Sequence, residues 1–265
     1  MSSVVASDDV DYGVLFIGAN DFFPSSAAYL GIYLGTWTQG EIDAHVAGVL
    51  ANINTVLDDM ESAGLPMVIL NLPDYGIAPA VAAILTDAAA RQDVTDVIDE
   101  LNAALDAEAE ARGLVIIDIG AALVSIFGTH MSPNTSILVG NVAIDLTGSD
   151  TELGAVPTAG FVHDGVHPNT VLQGIIANSV MEALNIGFGT GLTLFTEAEI
   201  LSHRGIAYGG SDTLNVIYGD YSDYITAYPP PPPSAVPGLN GIGLMVLSSL
   251  LAGTALRRVR SNQSI

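Results

Sequence analysis

The sequence contains no cysteine and no lysine, and its six cationic residues are all arginines. The lack of cysteine excludes disulfide bonds, thiolate metal sites and a cysteine nucleophile. Acidic residues number 29, which gives a formal net charge of -23. Such a surface repels phosphate backbones, so we expect no nucleic-acid partner. We interpret the excess of acidic residues as an adaptation for solubility.

The N-terminus also lacks the features of a signal peptide. The first residues, MSSVVASDDVDYG, contain no basic start and no long apolar run. Apolar residues are abundant over the whole chain, at 49% of the composition, against 13% for charged residues. This composition excludes a disordered chain and provides ample material for a folded core.

Apolar runs alternate along the chain with helical patterns. The predicted strands, each a short and continuously apolar run, are Gly13–Gly18, Leu65–Leu72 and Leu114–Ile119. The predicted helices are Glu41–Ala63, a region at Ile77–Arg112 that is broken once, Ala121–Phe127 and Val171–Leu184. The segment Ser136–Thr170 is rich in loop residues, with one short strand expected near Asn141–Leu146. This alternation predicts an α/β fold, a three-layer α/β/α sandwich with a parallel sheet.

The pattern also divides the chain into four parts. Residues 1–186 are predicted to form the α/β domain, and residues 187–228 an appendage that packs on it. Residues 229–237 form a proline-rich spacer, which is stiff because it begins with five consecutive prolines. Residues 238–265 form a predicted transmembrane helix and an arginine-rich tail.

The stretch HDGVHP contains an acid and an imidazole three positions apart, Asp164 and His167. A carboxylate that accepts the Nδ1 hydrogen of histidine fixes the tautomer and stabilises the imidazolium that forms when Nε2 takes a proton. The Asp-Gly pair favours a turn that folds the carboxylate back towards the ring. Taken alone, the same stretch is more typical of an Asp-Gly turn beside a helix-capping segment, because short motifs often match by accident.

A second polar group follows the first predicted strand, in the stretch LFIGANDFF. Ligands of a parallel sheet bind at the carboxyl ends of its strands, where Gly18, Asn20 and Asp21 lie. The Asn20 side chain is suited to donate to a developing oxyanion, and Gly18 permits close approach of the backbone. The alternative is an ordinary turn built from asparagine and aspartate.

Together the two stretches resemble the SGNH (GDSL) esterase and lipase family, which has a Gly-x-Asn-Asp block and, near the end of the domain, an Asp-x-x-His block. The stretch VILNLPD, Val68–Asp74, is similar to the family's fourth strand and its exit. The resemblance implies ester hydrolysis with His167 as general base, Asp164 as its partner and Asn20 as an oxyanion donor. It implies a supporting role for Gly18 and Asp21 in the oxyanion loop, and an ester substrate, either a lipid or an acylated glycan.

The family's nucleophile is the serine of a Gly-Asp-Ser block that belongs before the Gly-x-Asn-Asp strand. Only 12 residues precede Gly13, and they do not contain this block. We therefore expect that the chain is truncated, that two strands and an export signal are missing, and that it is inactive as it stands. A rearranged site using Ser222, in the stretch VIYGDYSD, is the alternative within the chain. The rival function is a non-catalytic surface protein that binds glycan or lipid in the same cleft.

The other ionisable residues suggest no further chemistry. His163 is close enough in sequence to His167 to line the same cleft. Asp145, Asp150 and Glu152 lack the regular spacing of a calcium loop. We expect no metal and no cofactor, and no pattern in the sequence predicts an oligomeric state.

The C-terminal segment Gly238–Leu256 has no charged residue and is followed at once by Arg257, Arg258 and Arg260. As a helix it would extend roughly 28 Å, close to the hydrocarbon thickness of a bilayer. Arginines at its end are typical of a cytoplasmic boundary. The segment resembles the sorting tails of the PEP-CTERM type, without the Pro-Glu-Pro itself. This resemblance implies a protein of the bacterial cell envelope, exported and held at the inner membrane.

We predict that the full chain fractionates with membranes and that a version ending at Tyr228 is found in the soluble fraction. The physical reason is that an uncharged helix of this length is more stable in lipid than in water. Centrifugation of lysates followed by immunoblotting measures the distribution. Equal solubility of the two versions would contradict the prediction.

Overall fold

A computed structural model describes residues 10–150 and 154–230. The predicted transmembrane helix, Gly238–Leu256, lies outside these residues. The strands are β1 Gly13–Leu15, β2 Met67–Leu70, β3 Val115–Ile117, β4 Gly128–Thr129, β5 Ser132–Pro133, β6 Ser136–Val139, β7 Val142–Ser149, β8 Ala159–Phe161 and β9 Ile225–Ala227. The α-helices are α1 Ala27–Tyr33, α2 Gln39–Ser62, α3 Pro79–Ile84, α4 Ala88–Arg112, α5 Ile119–Phe127, α6 Thr170–Phe188, α7 Glu197–His203 and α8 Leu214–Tyr218. Short 3-10 helices cover Ala19–Phe22, Tyr75–Ile77 and Tyr221–Tyr224.

The central sheet has four strands in the order β1-β2-β3-β9. The first three strands are parallel, with Leu15 beside Ile69 and Ile69 beside Ile116. All three lie within the predicted apolar runs: β2 and β3 are shortened at both ends, and β1 is shortened at its carboxyl end. Their carboxyl ends therefore share one edge of the sheet, and the segments that follow β1, β2 and β3 meet there.

The predicted parallel sheet is formed by β1, β2 and β3, and β9 adds an antiparallel strand that the sequence did not predict. This strand, in the segment predicted to be an appendage, pairs antiparallel with β3 and places Ile225 beside Ile117. The reason lies in the path of the chain, because the Asp118 N–H donates to the Tyr224 carbonyl at 2.8 Å. The chain thus arrives at the carboxyl end of β3, and without a crossover it can only run backwards along that strand.

Helices cover both faces of the sheet, which gives the three layers that the sequence predicts. Helices α2 and α4 lie on one face, with Leu57 and Leu101 fully buried. Helix α6 lies on the other face, with Ala183 buried against Val68 and Val115. Burial of these side chains provides the main driving force for folding.

Helix α6 is, within the described residues, the only helix long and apolar enough to cross a membrane by those two criteria. Its packing gives a different explanation for its composition. Val171, Ile175 and Ala183 are buried in the hydrophobic cores around the sheet. We therefore interpret α6 as a core helix.

The predicted break in the second helical region is confirmed. Helix α3 ends at Ile84, and α4 begins after Asp87, whose carboxylate accepts from the N–H groups of Ala89 and Ala90. This carboxylate satisfies two N–H groups that lack partners within the helix, as an N-cap does.

The loop-rich assignment of Ser136–Thr170 missed a second sheet. Strands β6, β7 and β8 form three neighbouring strands, of which β6 and β7 are an antiparallel hairpin. The hairpin turns at Gly140 and Asn141, both of which have positive φ. Buried and exposed side chains alternate along β7, where Ile144 and Leu146 are buried. This alternation is expected of a strand with one face on the core.

Strand β1 forms one edge of the central sheet in the described part of the chain. Val14 and Phe16 are 46% and 44% exposed, which is unusual for apolar side chains beside a core. Tyr12 stacks on Phe188 at the end of α6, with ring centroids 5.2 Å apart. Helix α6 thus reaches the start of β1 and leaves the rest of this face exposed.

We predict that Gly187→Ala destabilises the fold and that Gly48→Ala stabilises it. A Cβ at Gly187 would overlap the side chain of Val115 and push α6 off β3, whereas a Cβ at Gly48 meets nothing within 4 Å. The expected change in unfolding free energy is a loss of about 1–3 kcal/mol for Gly187→Ala. For Gly48→Ala it is a gain of up to about 1 kcal/mol. Urea denaturation measures both, and a stabilised Gly187→Ala would contradict the packing described here.

Candidate active site

Asp164 and His167 lie side by side in a tight turn. The Asp164 Oδ2 atom is 2.7 Å from Nδ1 of His167, and Oδ1 accepts from the N–H groups of Val166 and His167 at 2.9 Å each. A carboxylate is an acceptor only, so the ring hydrogen lies on Nδ1 and Nε2 is left as the basic nitrogen. The acid thus holds the imidazole in one tautomer and one orientation.

Gly165 makes this turn possible for two reasons. Its φ is +67°, in the left-handed region that favours glycine, and a Cβ there would lie 2.9 Å from the Cβ of Ala80. The Gly165 carbonyl accepts from the N–H of Ala80 at 3.1 Å, and the Val162 N–H donates to the His167 carbonyl at 2.9 Å. The turn is thereby fixed to α3, in the segment that follows β2.

Hydrogen bonds also set the protonation state of Asp164. Burial raises the pKa of this carboxyl, but the N–H groups of His167 and Val166 and the imidazole of His167 lower it more. The net pKa falls from 3.8 to about 2. Asp164 is therefore a carboxylate at neutral pH and stabilises positive charge on His167.

Asn20 and Asp21 lie in the 3-10 helix directly after β1. Gly18 precedes this helix with φ of 97°, which turns the chain at the carboxyl end of the strand. The Tyr75 hydroxyl lies 3.5 Å from the Asn20 Oδ1 atom. Tyr75 lines the same cavity as His167, so Asn20 and His167 lie at the same edge of the sheet. Asp21 is exposed, and neither it nor Asn20 lines the cavity.

Sequence reasoning missed a buried polar network behind Tyr75. The Asp74 Oδ2 atom is 2.6 Å from Nε2 of His130 and accepts from the Thr95 hydroxyl at 2.8 Å. The Arg91 Nε–H points at Nδ1 of His130 at 3.4 Å, which places the ring hydrogen on Nε2, towards Asp74. The network joins Asp74, which precedes Tyr75 in the segment after β2, to α4. No sequence signal could have found it, because its partners lie far apart in the chain.

Two cavities adjoin this edge of the sheet, and Asp74 lines both. The first, of about 260 Å³, contains His167 and has mainly apolar walls. The second, of about 600 Å³, has four carboxylates and no arginine among its lining residues; the carboxylates are Asp74, Asp99, Asp106 and Asp118. Burial and the neighbouring carboxylates of Asp96, Asp74 and Asp118 raise the pKa of Asp99. The larger cavity therefore disfavours anions.

Two other sequence candidates do not join His167. His163 is exposed and does not line the cavity. Ser222 lies exposed in the 3-10 helix before β9, and it too is absent from the cavity walls. Within residues 10–150 and 154–230, the imidazole of His167 has a hydrogen bond to Asp164 and to no hydroxyl group. No group of three or more His, Asp or Glu side chains in this part of the chain is arranged to hold a metal ion.

A base held by a carboxylate at the carboxyl edge of an α/β sheet is typical of hydrolases. The family model for GDSL-like Lipase/Acylhydrolase matches residues 1–180. The chain therefore belongs to this family, whose members are hydrolases of ester bonds. The resemblance drawn from the sequence motifs is thus confirmed. Comparison with curated proteins and comparison with solved structures each gave no match.

We predict that the Asp164 carboxyl titrates with a midpoint near pH 2 in the folded protein. Because its folded pKa lies below the ordinary 3.8, its contribution to stability is complete above pH 3.8 and is lost as the pH falls towards about 2. Carbon-13 NMR of the carboxyl group measures the midpoint. In His167→Ala the midpoint should rise but stay below 3.8, because the two backbone N–H donors remain. A wild-type midpoint at the ordinary value would contradict the geometry.

Proposed function

We propose that the chain carries the base and the oxyanion side of a carboxylic-ester hydrolase that uses a serine nucleophile. The observation on which the proposal rests is the 2.7 Å contact between Asp164 and Nδ1 of His167. It is the arrangement that general-base activation of a hydroxyl requires. The family match supports hydrolysis of ester bonds at the coarser level.

The reaction proposed for these residues has two halves. The serine oxygen attacks the ester carbonyl carbon while its proton passes to Nε2 of His167, and Asp164 stabilises the imidazolium. Asn20 donates its amide hydrogen to the carbonyl oxygen as negative charge develops there. The alcohol then leaves with the proton from His167. Water repeats the sequence on the acyl-enzyme and releases the carboxylic acid.

The proposed reaction also needs a serine hydroxyl beside His167. Among residues 10–150 and 154–230, no hydroxyl group bonds to the His167 ring. We propose that this serine belongs to a Gly-Asp-Ser block at the end of a strand that precedes Tyr12. The exposed face of β1 supports this proposal, since a neighbouring strand and helix would cover Val14 and Phe16. The genomic sequence upstream of the codon for Met1 tests it directly. A reading frame without such a block, in a gene that is expressed, would favour the non-catalytic alternative.

That alternative is a surface protein that binds glycan or lipid without hydrolysing it. One observation favours this alternative: within residues 10–150 and 154–230, no hydroxyl group forms a hydrogen bond with the His167 ring. For either function we propose a place at the bacterial inner membrane, facing outwards, with Gly238–Leu256 as the anchor. The support for this location is the sequence pattern alone.

We predict that the 265-residue chain does not hydrolyse p-nitrophenyl acetate above the rate of His167→Ala. A site without its nucleophile retains only weak residual catalysis, and loss of one oxyanion donor alone lowers the rate about a hundredfold or more. Circular dichroism confirms that each protein is folded, and absorbance at the wavelength of nitrophenolate gives the rate.

The matched control is His163→Ala, which removes another exposed imidazole four residues away. It corrects for direct reaction of the ester with surface histidines. Turnover that persists in His163→Ala and disappears in His167→Ala would prove that a nucleophile exists within the 265 residues. Ser222 would then be the first residue to replace.

A further inference from the structure

The cavity at His167 changes in character from its opening to its interior. At the opening, the side chain of His167 is 62% exposed. In the interior, Ile126, Phe161 and Ile175 are at most 3% exposed. The space therefore runs from the proposed general base into the hydrophobic core, between residues of α5 and residues of α6.

The innermost lining residues are polar, but their polar groups already have partners. The hydroxyl oxygens of Ser179 and Tyr218 lie 3.0 Å apart, and the Ser179 hydroxyl also lies 3.3 Å from the Ile175 carbonyl. Burial raises the pKa of Tyr218, so its hydroxyl stays neutral. Asp74 and Gln173 also line the cavity, but beside Ser179 and Tyr218 a ligand meets polar groups that are already paired with each other.

These features select the chemical class of the ligand. A sugar or a charged group beside Ile126, Phe161 and Ile175 would lose its hydrogen bonds to water and gain none from these side chains, which is unfavourable. An alkyl chain loses nothing and buries apolar surface. The cavity volume is about 260 Å³. If a methylene group takes roughly the volume of a water molecule in the liquid, about 30 Å³, this space holds a chain of roughly eight carbons.

We infer that this cavity binds the acyl chain of the ester substrate, and that the substrate is an ester of a medium-length acid. The inference rests on the proposed function, because it places the ester carbonyl beside His167 at the opening. The acyl chain then extends inwards past Ala122 and Ile126 towards Ser179. Acetylated glycans, whose acyl group has two carbons, would leave most of the cavity empty.

Binding of alkyl methyl ketones tests the inference without any turnover, because a ketone has the carbonyl and the chain of the ester but no leaving group. The ¹⁵N-labelled full chain is titrated with 2-butanone, 2-pentanone, 2-heptanone and 2-nonanone and followed by NMR. The expected affinity rises about threefold to fourfold for each added methylene. The ring signals of His167 should move, and those of His163, which does not line the cavity, should not. Affinity that does not depend on chain length would overturn the inference.

Two variants locate the chain inside the cavity. Ala122 is buried in the wall, so Ala122→Leu should weaken 2-nonanone binding at least tenfold and leave 2-butanone unchanged. Ala107→Leu is the matched control, the same substitution at an exposed position of α4 outside the cavity. Ile126→Ala enlarges the cavity and should raise the affinity for 2-undecanone relative to 2-nonanone. This second variant decides the matter if Ala122→Leu does not fold, and an unchanged ratio of affinities would count against the inference.

Failure of the acyl-chain inference and failure of the proposed function give different results. In one outcome, ketone affinity rises with chain length, but a version of the protein extended to include the serine block hydrolyses no ester. This outcome would support the acyl-chain cavity and refute the proposed hydrolase. In the other outcome, ester turnover depends on His167, but ketone affinity does not change with chain length. This outcome would support the proposed hydrolase and refute the acyl-chain cavity.

Discussion

The geometry of the candidate site depends on one carboxylate. Asp164 accepts hydrogen bonds from two backbone N–H groups and from the imidazole of His167, and it thereby fixes both the path of the turn and the ring of the base. The backbone donors keep it ionised, so the group that shapes the loop is also the group that stabilises an imidazolium. Because Gly165 packs against Ala80, this local arrangement is joined to the segment that follows β2. A change in the turn would therefore move the base relative to the sheet.

The few cations of the described chain show how the fold uses scarce positive charge. Arg112 contacts three carboxylates, those of Asp58, Glu61 and Glu108. Arg204 pairs with the buried Asp150, and Arg91 bonds to His130 and to the Leu85 carbonyl. Each of the three arginines in residues 10–150 and 154–230 thus holds segments of the fold together. The walls of both cavities at Asp74 have none, which agrees with a neutral substrate.

The sequence predicted the strands of the parallel sheet well because each is a continuous apolar run, and Met67–Leu70 and Val115–Ile117 are buried on both faces. It also identified Asp164 and His167, because their contact is local and the Asp-Gly turn has a clear signal. Strand β9 was missed because its three residues, Ile225–Ala227, have no periodicity and pair only through the tertiary path of the chain. The cavity could not be predicted either. It arises where Ala122 and Ile126 on one helix face Ile175 on another, and spacing within a single helix does not reveal such a gap.

The edge of β1 has a consequence for how the protein behaves in solution. Among residues 10–150 and 154–230, β1 pairs only with β2 and exposes Val14, and a strand with such an edge is a template for pairing with another molecule. The net charge of -23 opposes such an encounter, since every copy repels every other. That repulsion extends over a Debye length of about 10 Å at 0.1 M salt and only about 3 Å at 1 M. We therefore expect the chain to self-associate more readily as ionic strength rises, because salt shortens the range of the repulsion between acidic surfaces.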